Sequence, residues 1–197
     1  MSPQCFIFIG RSGSGKGTQA KLLIEDLKRS DSSRETLYIQ TGQELREFIK
    51  GETYTQKKTK GLYENGALMP EFLALHAWIS LMVEKYDGTQ NLIFDGTPRK
   101  VHEAGVINSL FEFYSFEKPW VINIDISLDE AVKRLMERKR EDDTEDSIRK
   151  RLGWYETDVA PTINYFKSNP LYRCLDIDGE RSIEAIHTDI VKRLGLD

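Results

Sequence analysis

Five short apolar runs recur along this chain at wide intervals. Cys5–Ile9 and the segments 37–39, 92–94, 121–126 and 174–177 are rich in Ile, Leu, Val and Phe, and Gly, Asp or Thr residues bound them. Runs this short and this apolar suit strands buried on both faces, and the helix-length segments between them suit crossover helices. The pattern predicts an α/β fold in one domain spanning residues 1–197: a five-stranded parallel sheet flanked by helices.

Two segments break the alternation. Residues 41–70 are polar and Gly-punctuated, with two short helical patterns and no strand, which predicts a small helical insert. Residues 137–143 (Glu-Arg-Lys-Arg-Glu-Asp-Asp) form a dense charge run between two helical patterns.

Composition narrows the classes of function. Charged residues make up 30% of the 197, yet the net charge is only −4, so no basic footprint for nucleic acid or an anionic membrane exists. Basic residues that matter must converge on a cleft. Cys5 and Cys174 stand far apart without a CxxC pair, which excludes a disulfide framework and a four-cysteine zinc site. The apolar run at Cys5–Ile9 is too short for a signal sequence, and no run approaches a membrane span. The expectation is a cytoplasmic monomer.

The sharpest chemical signal is Gly10-Arg11-Ser12-Gly13-Ser14-Gly15-Lys16-Gly17-Thr18, between the first strand and a helix predicted over 16–29. Glycines let successive N–H groups turn toward a phosphate, the helix start adds positive potential, and Lys16 supplies a mobile charge. The generic loop carries Ser or Thr directly after its lysine; here Gly17 takes that place and Thr18 follows.

Two further motifs follow in order: Asp95-Gly96-Thr97-Pro98-Arg99 at the third strand's end, and Arg140-Glu141-Asp142-Asp143 followed by Ile148-Arg149-Lys150-Arg151-Leu152. Together with the loop, they make the chain resemble the adenylate kinase family of nucleoside monophosphate kinases over essentially its whole length. Thr41-Gly42-Gln43-Glu44-Leu45-Arg46 and Gly66-Ala67-Leu68-Met69-Pro70 fall where that family binds its acceptor.

The resemblance implies a P-loop kinase in which residues 41–70 bind the monophosphate and 137–143 form a short lid. It implies transfer of a phosphoryl group from ATP to AMP, reversibly, giving two ADP, with Mg²⁺ organised through water by Asp95. Gly13, Ser14, Gly15, Lys16, Gly17, Thr18, Arg134 and Arg138 would bind ATP, with Arg134 stacked on its adenine. Thr41, Gly42, Arg46, Leu68, Met69, Gly96, Arg99, Glu103, Arg140 and Arg151 would bind AMP. Lys16, Arg99, Arg138, Arg140 and Arg151 would carry the chemistry. Asp142 and Asp143 would partner the lid arginines. Arg149 and Lys150 are expected in solvent, and Trp78, Trp120 and Trp154 in packing.

Departures from the family pattern refine these expectations. One residue separates Arg138 from Arg140, too few to hold the zinc some relatives carry, so no zinc is expected. Thr97 stands where phenylalanine is usual. Glu103 stands where adenylate kinases have the glutamine that reads the acceptor base; AMP remains the expected acceptor, with GMP, UMP or CMP as the alternative. A weakly catalytic nucleotide sensor is the rival of a different class.

Overall fold

A computed structural model describes residues 2–65, 67, 69–138 and 144–196. Strand β1 (Cys5–Ile9) feeds helix α1 (Lys16–Ser30), and β2 (Thr36–Gln40) leads into α2 (Thr41–Phe48), α3 (Tyr54–Glu64) and α4 (Glu71–Lys85). Then β3 (Asn91–Asp95), α5 (Val101–Phe113), β4 (Trp120–Asp125), α6 (Leu128–Arg138) and α7 (Glu145–Trp154) follow. A π-helical turn (Tyr155–Val159) joins α7 to α8 (Ala160–Ser168), and β5 (Arg173–Asp178) and α9 (Ile183–Leu194) close the chain.

All five strands pair in parallel, in the order β2-β3-β1-β4-β5. The alternation of side chains across each strand sorts the apolar residues into two cores. Phe6, Phe8, Ile93 and Ile122 pack under α1 and α9, against Leu23, Leu27, Ile186 and Ile190. Cys5, Ile7, Ile9, Leu92 and Phe94 face the other way, against Trp78 of α4, Ile107 and Phe111 of α5 and Phe166 of α8. A third cluster, Ile126, Ala131, Leu135, Ile148 and Leu152, holds α6 to α7 on either side of the charged segment.

Strand order sets where a ligand can sit. The chain leaves β1 toward β2 on one side and leaves β4 toward β5 on the other, so a crevice opens at the strands' carboxyl ends. The loop 10–15, the loop 96–100 and the segment 41–70, which carries α2 and α3, all border that end.

The π turn has a sequence cause. Pro161 sits in the first turn of α8 and has no N–H to give to an i−4 carbonyl. Ala160 instead bonds Tyr155 O, five residues back, which widens the helix and carries it past the proline.

Candidate active site

One cleft of about 710 Å³ lies over the carboxyl ends of β1 and β3. Gly13, Ser14, Gly15, Lys16, Gly17 and Thr18 form its floor. Gly42, Arg46 and Met69 border it from the insert, and Asp95, Gly96 and Arg99 from the end of β3. Arg134, Arg138 and Arg151 reach it from α6 and α7. Basic residues from distant parts of an acidic chain thus meet in one place. Leu68, Arg140, Asp142 and Asp143 lie outside the described residues.

The floor is built locally. Gly15 adopts a left-handed backbone at φ 91° and starts α1 without a side-chain cap, so the first N–H groups of the helix face the cleft end of β1. The Lys16 ammonium donates to Gly10 O at 2.9 Å and to Arg11 O at 2.8 Å, and lies 3.4 Å from Ser14 Oγ. Those contacts fold the lysine over its own loop, where a phosphate oxygen could replace a carbonyl as its partner.

Burial lowers the Lys16 pKa to about 8, offset in part by the Asp95 charge and reinforced by Arg99 and Arg138. The sign of the consequence follows from linkage. A polyanion favours the ammonium, so binding takes up a proton wherever the lysine is neutral beforehand. Affinity for a nucleoside triphosphate should be flat below pH 8 and fall by roughly tenfold per pH unit above it. Titration calorimetry in buffers of different ionisation enthalpy should show about one proton taken up per triphosphate at pH 9 and almost none at pH 7. Lys16→Arg should bind without this slope, because a guanidinium stays charged. A wild-type affinity that is level from pH 7 to 9.5 would contradict the assignment.

Asp95 ends β3 with its side chain almost wholly buried. The Tyr38 hydroxyl donates to Asp95 Oδ2 at 2.8 Å and the Gln40 amide donates to the same oxygen at 3.0 Å. Both donors come from β2, whose register sets Gln40 beside Asp95. This trio explains Gly17: a Cβ there would lie 3.0 Å from Asp95 Oδ2 and 3.4 Å from the Gln40 amide nitrogen. A serine or threonine at 17 would therefore need the Asp95 and Gln40 side chains to give by a few tenths of an ångström.

Arg99 is anchored through its own loop. Its Nε donates to Gly96 O at 2.9 Å and its backbone N–H to Glu103 Oε2 at 2.7 Å. The Thr162 hydroxyl on α8 lies 3.0 Å from Arg99 O. Glu103 is 3% exposed and, like Thr41, is not among the cleft-lining residues. The Thr41 hydroxyl is buried without a hydrogen-bond partner.

The remaining arginines are oriented by nearby acceptors. Arg46 donates to Gln43 Oε1, and Arg151 to the carbonyl and hydroxyl of Ser147. Arg134 donates through Nε to Glu130 and through its terminal nitrogen to Gly179 O, which sets the guanidinium plane against the loop after β5.

Several cleft residues lay beyond the sequence reading. Trp154, expected in packing, lines the cleft with Tyr155 and Asp158, at the junction of α7 and the π turn. Trp78 does sit in the core, fully buried. Lys150 is exposed, as expected, and also donates to Asn65 O at the end of α3, tying α7 to the insert. Arg11 stacks on the Tyr155 ring at 3.8 Å and pairs with Glu156 at 3.1 Å, joining the phosphate loop to the π turn. No local pattern announces these contacts.

Comparison with known proteins decides the family. The adenylate kinase family profile matches residues 8–171. Adenylate kinase 1 of Nostoc sp. is 35% identical over 189 residues, covering 96% of this chain and 97% of the relative. Adenylate kinase 1 of Synechocystis sp. is 35% identical over 186 residues, 94% of each chain, and the adenylate kinase of Phocaeicola vulgatus is 31% identical over 189 residues, 94% and 95%. This chain belongs to the adenylate kinase family.

It is therefore a nucleoside monophosphate kinase, a phosphotransferase with the α/β P-loop kinase fold. The family adenylate kinase fold accounts for the strand order and for the loop-to-helix start at Lys16. Among the described residues, no helix is long and apolar enough to cross a membrane, and no group of three or more His, Cys, Asp or Glu could hold a metal.

Proposed function

We propose that this protein catalyses ATP + AMP ⇌ 2 ADP, assisted by Mg²⁺. The observation that carries the reading is the convergence of the Lys16 loop with Arg46, Arg99 and Arg151 on one cleft beside Asp95. Transfer between two nucleotides brings several phosphates together, so positioning and charge stabilisation do most of the work. Arg46, Arg99 and Arg151 hold the acceptor phosphate, since a planar guanidinium grips phosphate oxygens through two bonds. Arg138 joins Lys16 over the transferring group, with Arg140 assigned the same task by resemblance. Arg134 presents its braced face to the donor base.

Asp95 fits a magnesium-organising role. Its Oδ2 accepts from Tyr38 and Gln40, and Asp95 lines the cleft. A single protein carboxylate suits Mg²⁺, which keeps several waters and takes its other oxygens from phosphates. When bound, the ion would supply positive charge that offsets the charge of the phosphates. Residues 41–70 act as the acceptor-binding insert and 137–143 as a short lid that excludes water. The protein would work as a monomer in the cytosol, where the thiols of Cys5 and Cys174 stay reduced.

Coupled turnover with Mg-ATP against AMP, GMP, CMP and UMP tests this reading. AMP should give the highest kcat/KM, and chelating the divalent ion should stop turnover. A preference for GMP or a pyrimidine monophosphate would overturn the acceptor assignment, and tight triphosphate binding without turnover would point to a sensor.

A further inference from the structure

Glu103 occupies the third position of α5, directly after the loop that carries Arg99. A helix start leaves four N–H groups without intrahelical partners, and a glutamate at this position can reach back to them. Here it does so. Oε2 accepts the Arg99 N–H at 2.7 Å, and the Lys100 N–H also acts on the carboxylate. Lys100, at the cap position, offers no side-chain cap of its own. The carboxylate also complements the positive end of the helix.

Arg99 is gripped from other directions as well. The Thr162 hydroxyl reaches its carbonyl from α8, and its Nε is held by Gly96 O. Glu103 is the acidic group in this set, and its charge also acts on the Arg99 guanidinium. Burial pushes its carboxyl up, while the Arg99 N–H, the Arg99 charge and the Lys100 N–H pull it down. Pro98 and Arg99 line the cleft, but Glu103 does not.

We propose that Glu103 is a positioning residue for the acceptor phosphate, fixing the backbone and aim of Arg99, rather than a reader of the acceptor base. The inference rests on the adenylate kinase reading of the cleft. The site prefers a carboxylate to an amide for a physical reason. Two backbone donors converge on a side chain that is 3% exposed, and the amino group of a glutamine there would bring a further donor needing an acceptor. A residue that acts through Arg99 acts on the phosphate, which every nucleoside monophosphate shares. Disturbing it should weaken all acceptors alike and spare the donor.

The experiment measures kcat/KM for AMP, GMP, CMP and UMP, and KM for ATP, in wild type, Glu103→Ala and Glu103→Gln. Glu103→Ala should lose about tenfold in kcat/KM for every acceptor the wild type uses, as expected for a lost buried polar contact. Its KM for ATP should stay within about twofold of wild type. Glu103→Gln keeps one oxygen for the Arg99 N–H and should recover most of the loss. The ratio of AMP to the next-best acceptor should hold within about twofold in both variants. A shift of that ratio by about fivefold or more, or a new acceptor appearing in Glu103→Gln, would make Glu103 a base reader and overturn the inference. A matching rise in KM for ATP would overturn it too, by showing general damage. Should Glu103→Ala fail to fold, Glu103→Gln decides the question through the same ratio. Wild-type enzyme that turns over no monophosphate would defeat the functional reading itself and this inference with it, whereas failure confined to the variants leaves that reading intact.

Discussion

Lys16→Met should lower kcat by about 10²-fold or more while the protein still unfolds cooperatively near the wild-type temperature. Removing one preorganised charge from a developing phosphoryl group costs roughly 3–4 kcal/mol of transition-state stabilisation. The fold should tolerate the change because burial already disfavours the Lys16 ammonium, whose contacts are confined to its own loop. Methionine is of similar length and leaves the Gly10 and Arg11 carbonyls at the cleft, within reach of water. Steady-state turnover with AMP and a thermal melt on the same preparation check both halves. Turnover above about a tenth of wild type would sink the phosphate-cradle assignment.

Gly10→Ala should be the most damaging single methyl in the molecule's phosphate loop. Gly10 sits at φ +139°, a backbone region that L-residues rarely adopt, and an added Cβ would lie 2.3 Å from Ile124 O on β4. That oxygen belongs to the central sheet and cannot swing away as a side-chain tip would. Either the loop or the β1–β4 pairing must shift, at about 2–4 kcal/mol of stability. For a chain this long, that corresponds to a drop of roughly 5–15 °C in melting temperature. Turnover should fall as well, since the displaced loop carries Lys16. Gly105→Ala provides the contrast: it lies on α5 with nothing within 4 Å of the added Cβ, so it should melt at or slightly above wild type. A Gly10→Ala melt within a degree or two of wild type would show that the clash is relieved at little cost.

The readable parts of the fold are those whose signal is local. Each apolar run predicted as a strand is one, its bounds shifted by a residue where the pairing with a neighbour begins or ends. The run at 37–39 becomes Thr36–Gln40 because its ends bond to β3 at Asn91 and Asp95. The run at 121–126 becomes Trp120–Asp125, since the backbone turns away before Ile126. Lys16 was legible because strand, glycines, lysine and helix are contiguous. Asp95 was legible as a charged residue ending a buried strand. Its partners Tyr38 and Gln40 were not, because nothing near them says that β2 will lie beside β3.

Contacts made between distant elements add what the chain read along its length does not show. Trp154, expected in packing, lines the cleft from the end of α7, where the π turn begins. Lys150 is exposed as expected, and its bond to Asn65 O depends on α7 meeting the end of α3. Glu103 stands at a position that resemblance assigns to base reading, while its carboxylate lies against the Arg99 N–H.

The sequence by itself determined the five strands, the helices between them, the phosphate loop and the set of basic residues available for phosphate. Hydrophobic period and glycine-lysine chemistry act over a few residues, so they can be read along the chain. Only the tertiary structure decided that Arg46, Arg99, Arg134, Arg138 and Arg151 meet at one cleft, that Tyr38 and Gln40 hold Asp95, and that Gly17 packs tightly against that pair. Those outcomes depend on strand order and on helices packing across the sheet, where residues far apart in sequence compete for the same few ångströms.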